Sequence, residues 1–254
     1  MRIPKILILA GMACSAAVAQ TFTVVNGASF TLDFPVAPGS YAQIFPPQGG
    51  SFSGVTGNTT APSVPLPTTL ADVQVLVNGT ASPLWFVGSG VIAFVLPQAT
   101  PTGQVPVRVL RAGTEIATRT ITVIPSAPGI FFANTGGFPL GGVRTQRNDY
   151  TSSTVRAARG EVVVIAGTGM GPVNGTYTDT QGATGTANTS VNPVQVFISS
   201  ERATVEYAGL LPGLPGLWQM NVRVPDRPFI AGQVPLFVSI NGISSNAVTF
   251  WVAD

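Results

Sequence analysis

Residues 160–174 read GEVVVIAGTGMGPVN, and the choice of fold turns on them. A strand-length apolar run, Glu161-Val-Val-Val-Ile165, leads into Gly167-Thr-Gly169-Met-Gly171. A dinucleotide site needs a strand, then G-x-G-x-x-G, then a helix whose N-terminus faces the pyrophosphate. Here Pro172 stands where the third glycine belongs, and residues 173–178, VNGTYT, are turn-like and β-prone with no amphipathic helical period. A P-loop needs a lysine at its end, and the single lysine of the chain is Lys5. The stretch therefore reads as a strand that ends in a glycine-rich turn, where glycine permits positive φ and a sharp change of direction.

Composition agrees with a β reading. Of 254 residues, 45% are hydrophobic and only 9% charged, against roughly 25% charged in ordinary soluble domains. The 29 Gly and 22 Pro, with Val, Thr and Phe in the apolar runs, suit many short strands joined by turns. Disorder is excluded, because disordered chains combine low hydrophobicity with high net charge.

At the N-terminus, Met1-Arg2-Ile3-Pro4-Lys5 is a short basic segment followed by the apolar run 6–12 and the small residues Ala17-Val18-Ala19. This pattern is a secretory signal peptide over residues 1–19, cleaved before Gln20. The apolar run is too short for a membrane span, which needs about 20 residues. A lipoprotein alternative, acylated at Cys14, lacks the Leu expected three positions upstream. Removing the leader takes Arg2 and Lys5 and leaves 10 basic residues, all Arg, against 10 acidic ones. The exported chain is formally neutral and has no basic cluster, so nucleic acid is not an expected partner. It also has no cysteine, and no disulfide is expected.

The remaining chain reads twice. Val73-Gln-Val-Leu-Val-Asn78 recurs as Val194-Gln-Val-Phe-Ile-Ser199, and Ile92-Ala-Phe-Val-Leu-Pro97 as Met220-Asn-Val-Arg-Val-Pro225. Thr102-Gly-Gln-Val-Pro-Val107 recurs as Ala231-Gly-Gln-Val-Pro-Leu236, and residues 117–123 correspond loosely to 246–252. In 218–224, Trp218, Met220, Val222 and Val224 share one face while Gln219, Asn221 and Arg223 take the other, which is a half-buried strand. Asn78-Gly79, Ala112-Gly113 and Asn241-Gly242 are hairpin turns. The expected fold is all-β: two tandem immunoglobulin-like antiparallel β-sandwiches related by internal duplication. The first occupies residues 20–124; residues 125–254 carry a linking segment and the second. Ile130, Phe131 and Phe132 are too apolar for a free linker and are expected to pack in or against the second module.

An ordered series of motifs carries a family resemblance. It runs through Ala127-Pro-Gly-Ile-Phe131, Ala157-Ala-Arg-Gly160, the strand with its glycine turn, and Tyr207-Ala-Gly209. It continues with Gly216-Leu-Trp-Gln-Met-Asn-Val-Arg-Val-Pro225 and Gly242-Ile-Ser-Ser-Asn-Ala-Val248. The chain resembles the uncharacterised Solibacter-type C-terminal domain of exported acidobacterial proteins. That resemblance implies a secreted β-rich module and supplies no catalytic residues. The first module departs from the repeated pattern, with Val91 and Ala93 where the second has Gln219 and Asn221.

The chemical inventory is thin. With no His in the chain, Ser-His-Asp and Cys-His arrangements cannot form, and the usual zinc and iron ligand sets are missing. Asp226 beside Arg227, and Glu201 near Glu206, read as solvated surface groups rather than an acid/base pair. Asn148-Asp149 and residues 178–182 offer too few oxygens for calcium. Asn58, Asn78, Asn174 and Asn188 begin N-x-S/T sequons that act only in a glycosylating host.

The expectation is a protein that is not an enzyme, holds no cofactor or metal, has no transmembrane segment after cleavage, and works outside the cell. Its role would be adhesion, surface assembly or binding, with a protein or polysaccharide at the cell exterior as partner. The alternative is an extracellular carbohydrate-binding accessory module, for which Trp85, Trp218 and Trp251 would be the platforms. The expected contact surface lies along residues 209–218, GLLPGLPGLW, at Leu210, Leu211, Leu214, Leu217 and Trp218. The offset between copies grows from 121 residues at Val73/Val194 to 128 at Pro97/Pro225, so the second copy carries extra chain here. Its glycines and prolines oppose regular structure, and its leucines need cover, either from the rest of the chain or from a partner.

Overall fold

The computed structural model describes residues 20–32, 34–47, 50–133 and 139–254; the expected leader and Cys14 lie outside them. Every regular element among the described residues is a strand. The first nine are Thr23–Asn26 (β1), Tyr41–Phe45 (β2), Asn58–Thr60 (β3), Val73–Val77 (β4), Thr80–Ala81 (β5), Leu84–Gly88 (β6), Val91–Val95 (β7), Gly103–Arg111 (β8) and Thr114–Val123 (β9). They form a five-stranded sheet, β1-β2-β7-β6-β3, and a four-stranded sheet, β5-β4-β8-β9. Alternation decides what lies between them: in β4, Val73, Val75 and Val77 are buried while Gln74 and Leu76 are half-exposed. The enclosed apolar cluster runs in sequence from Phe22 to Val123 and includes Phe52 and Phe94.

The remaining strands are Gly129–Ile130 (β10), Phe132–Ala133 (β11), Leu140–Gly141 (β12), Val143–Arg144 (β13), Val162–Thr168 (β14), Val194–Ile198 (β15), Glu201–Leu210 (β16), Leu217–Arg223 (β17), Gly232–Ile240 (β18), Ile243–Ser244 (β19) and Val248–Val252 (β20). They surround a second cluster, from Ile130 to Val252, with Trp218 and Phe250 inside. The expectation of two separate stacked sheets needs correction here. The ladder runs without a break through β10-β14-β17-β16-β15-β18-β20-β12-β11, with β13 on β14 and β19 on β18. β16 is the join: Glu201–Ala203 pair with β15, and Thr204–Leu210 pair with β17. A bulge between Val205 and Tyr207 gives it the bend that a strand shared by two layers needs. The path begins at β10 and ends at β11, which only Phe131 separates, so this sheet is a nearly closed barrel.

The two sets of strands share part of their pairing order. β7 lies between β2 and β6, as β17 lies between β14 and β16; β8 lies between β4 and β9, as β18 lies between β15 and β20. Ile92 faces Ile44, and Met220 faces Ile165. The parallel bridge Val36–Val123 is matched by Ala157–Val252. The Gly39 N–H bond to Leu96 O (2.8 Å) is matched by the Gly160 N–H bond to Val224 O (2.9 Å). At Asn78-Gly79, Ala112-Gly113 and Asn241-Gly242 both residues have positive φ, the two-residue hairpin geometry that fits twisted strands. Ala93, in the place of Asn221, is 3% exposed, which accounts for its apolar identity.

Candidate functional site

The glycine stretch is a structural seam. A side chain at Gly167 would strike the Gly129 carbonyl and the Trp218 ring, and one at Gly169 would strike the Ala127 carbonyl. Ala127 N–H bonds Gly169 O at 2.9 Å, and Gly129–Ile130 pair with Gly167 and Thr168. The segment linking the two sets of strands is thus laid against the end of β14, at a distance only glycine permits. Ile130 enters the second core, Phe131 lies 6.2 Å from the Tyr41 ring, and Phe132 meets Phe30 edge-on at 6.5 Å.

The same seam holds the leucine-rich loop between β16 and β17. Thr168 Oγ1 accepts the Tyr41 N–H at 2.7 Å and donates to Gly216 O at 2.6 Å. Trp85 Nε1–H donates to Pro215 O at 3.2 Å. The loop is therefore folded back against the first set of strands. Two residues of the expected contact surface must be withdrawn for a plain reason: Leu210 is 6% exposed and Trp218 1%. Both point inward in their strands, where they pair with each other. Leu211 and Leu217 are half-buried, and Leu214 is 39% exposed.

Those three leucines form one end of a groove of about 570 Å³ on the outer face of β13, β14 and β17. Strand periodicity fixes its floor. In β14, Val163 and Ile165 point into the core, so Val164 and Ala166 point out; in β17, Met220 points in and Gln219 points out. Ala166 pairs with Gln219, and Val164 with Asn221 on one side and Arg144 on the other. Gln219 Nε2 donates to Asn221 Oδ1 at 2.8 Å. Phe131 closes the groove beside the leucines.

A hairpin that the sequence reasoning missed also lines the groove, through Arg144, Asn148 and Tyr150. After β13 the chain turns, with Asn148 N–H on Thr145 O and Thr145 N–H on Asp149 O, both 2.9 Å. Asn148 has φ of +67°, which asparagine tolerates better than most residues. The turn returns Tyr150 opposite Arg144, whose guanidinium lies 4.4 Å from the ring centre. Arg144 Nη1 donates to Asn148 Oδ1 at 2.9 Å, and Nη2 donates to Tyr150 Oη at 2.6 Å. Among the described residues no carboxylate pairs with Arg144. Tyr150 is 57% exposed. The only local signal was an aromatic residue beside an Asn-Asp turn, within a segment otherwise read as linker.

The carboxylates, the Asn-Asp turn and the tryptophans do not assemble into a further site among the described residues. Glu201 and Glu206 do not meet as a pair: Glu201 lies 3.6 Å from Arg227, and Glu206 is bonded to Arg223. Asp226 lies 3.8 Å from Arg159. Asn148 Oδ1 serves Arg144 rather than a cation, and among the described residues no three acidic, His or Cys side chains converge. Of the tryptophans, Trp218 is core, Trp85 is engaged by Pro215, and Trp251 lies under Arg156 at 5.4 Å. They form no common platform.

No protein-family model matches the chain. No curated protein matches it either. Among solved structures it is similar to the SGBP-B of the Bacteroides ovatus mixed-linkage glucan utilization locus, in complex with a mixed-linkage heptasaccharide. Identity there is 12%, over 88% of this chain and 45% of that one, with a TM-score of 0.33. It is also similar to domains 5–6 of the S-layer protein SbsC (16% identity, 93% and 98% covered, TM-score 0.26). A third similar structure is a tandem of titin immunoglobulin domains (11% identity, 91% and 96% covered, TM-score 0.23). The chain spans less than half the length of the first of these. Among the described residues no helix is long and apolar enough to cross a membrane.

Proposed function

We propose that this chain is a non-catalytic, exported binding protein built from two copies of one immunoglobulin-like module, and that the outer groove of the second copy is its contact surface. The copies are residues 20–124 and 125–254, preceded by a leader over 1–19. Support for the duplication comes from the matched strand order, the two parallel bridges and the two glycine hydrogen bonds. Membership of the Solibacter-type domain family belongs to the same proposal and rests on the motif series. The non-catalytic reading is supported by the absence of His from the sequence and by the pairing of Glu201, Glu206 and Asp226 with arginines.

One observation carries the binding reading: Tyr150 and Leu214 line one groove and stay open to solvent, and the polar side chains of that groove are already oriented by hydrogen bonds. Preformed, mostly apolar clefts with a few placed polar groups are the usual form of a binding site. Two classes of occupant fit the groove in outline, a surface protein seated on the leucines and a polysaccharide seated on the Tyr150 ring.

The test is a pull-down of the exported protein against its own cell envelope and a polysaccharide panel, with the double variant Tyr150→Ala, Leu214→Ser beside it. The double variant should lose the captured partner while its unfolding temperature stays within a few degrees. Full retention of the partner by the double variant would contradict the assignment.

A further inference from the structure

We infer that the groove takes a negatively charged sugar chain, a polyuronate, with the sugar carboxylate on Arg144 and the pyranose face on Tyr150. This rests on the groove being the contact surface.

The floor argues for a sugar rather than an extended peptide. Val164 and Ala166 lie in the middle of the ladder, with β17 on one side and β13 or Phe131 on the other. A peptide recognised by strand addition needs free backbone donors and acceptors at a sheet edge, and the floor has none to offer. Recognition must come from side chains standing on the sheet face. Beside the three leucines, Pro212, Val164 and Ala166, those present are two aromatic rings (Phe131 and Tyr150), two amides (Gln219 and Asn148) and a guanidinium. An aromatic ring offers an apolar face, and amides both donate and accept, as vicinal hydroxyls require.

Charge selects the class of sugar. A guanidinium has five N–H donors, and among the described residues Arg144 uses them on Asn148 Oδ1 and Tyr150 Oη. The neighbouring arginines are engaged by carboxylates: Arg223 by Glu206, and Arg147 by Asp149 at 4.0 Å. Arg144 is the charge of this face left without a counter-ion among the described residues, and it is held stiffly by its stack on Tyr150. A planar carboxylate matches a fixed guanidinium fork with two parallel hydrogen bonds, and it is the anionic group that a sugar ring itself carries in a polyuronate.

The experiment measures binding of the exported protein to polygalacturonate and alginate, with fully methyl-esterified polygalacturonate and dextran as uncharged controls. The native protein should bind at least one polyuronate about tenfold or more tightly than the esterified chain, the size expected of a charge-assisted hydrogen bond. Arg144→Gln should remove that preference and leave residual binding equal to the ester's, whereas Arg144→Lys should keep part of it. Equal binding of acid and ester, or no loss in Arg144→Gln, would overturn the acidic-sugar inference. If Tyr150→Ala still weakened binding in that case, the groove would stand as the contact surface. Failure of both polyuronates to bind overturns the inference outright. Binding untouched by either Tyr150→Ala or Arg144→Gln overturns the groove as well.

Discussion

At Gly169 the backbone has φ of +83°, and the Ala127 carbonyl fills the space a side chain would need. Gly169→Ala therefore combines a left-handed conformation with a backbone collision, and should cost about 3 kcal/mol or more in denaturant unfolding. Gly113→Ala, at φ of +78° but with nothing close by, should cost only the conformational part, about 1 kcal/mol. The sequence distinguished Gly167-Thr-Gly169-Met-Gly171 from a cofactor loop because the missing helix is a local feature. It did not reveal what presses against the glycines, since Ala127 is remote in the chain and no local pattern encodes that approach. Arg144 and Tyr150 are close in sequence, but they were illegible because their segment carries no strand alternation to announce a hairpin. A cation over a ring becomes visible only once a hairpin has brought the two together.

At the level of strands and loops, alternation and Asn-Gly turns made β4, β8, β17 and β18 readable, because each depends on residues adjacent in sequence. The course of β16 was not readable. A ten-residue strand with a bulge shows the same alternation whether it pairs with one neighbour or two. The loop after it splits into a buried and an open part, and substitutions should separate them. Leu210→Ala removes a core side chain and should destabilise by about 2–4 kcal/mol. Leu214→Ser should cost clearly less, about 1 kcal/mol or below, because much of that side chain already meets solvent. Urea unfolding of the two variants checks this, and similar losses in both would mean that Leu214 packs as Leu210 does.

Across the whole molecule, the two sets of strands meet through a second clasp besides the glycine seam. Gln98 N–H bonds the Asp179 carboxylate at 3.1 and 3.2 Å, Gln98 Nε2 donates to Tyr177 O at 3.0 Å, and Leu66 N–H bonds Thr180 O at 2.8 Å. Burial pushes the Tyr177 phenol up to about 12, with the Asp179 charge adding to the shift. A phenol that holds its proton more tightly when folded stabilises the fold below pH 10, and that contribution is lost as pH rises from 10 through about 12. Stability should fall over that window in the native protein and fall less steeply in Tyr177→Phe; identical slopes would mean that the Tyr177 phenol is not buried at this clasp. The most direct test of the central claim is hydrogen exchange of the protein with and without the partner retrieved from the envelope or the polysaccharide panel. Slowed exchange should concentrate in residues 144–151 and 211–217, two segments that line the groove. Protection confined to the stacked Phe197 and Phe237 on β15 and β18, with both segments unchanged, would contradict it.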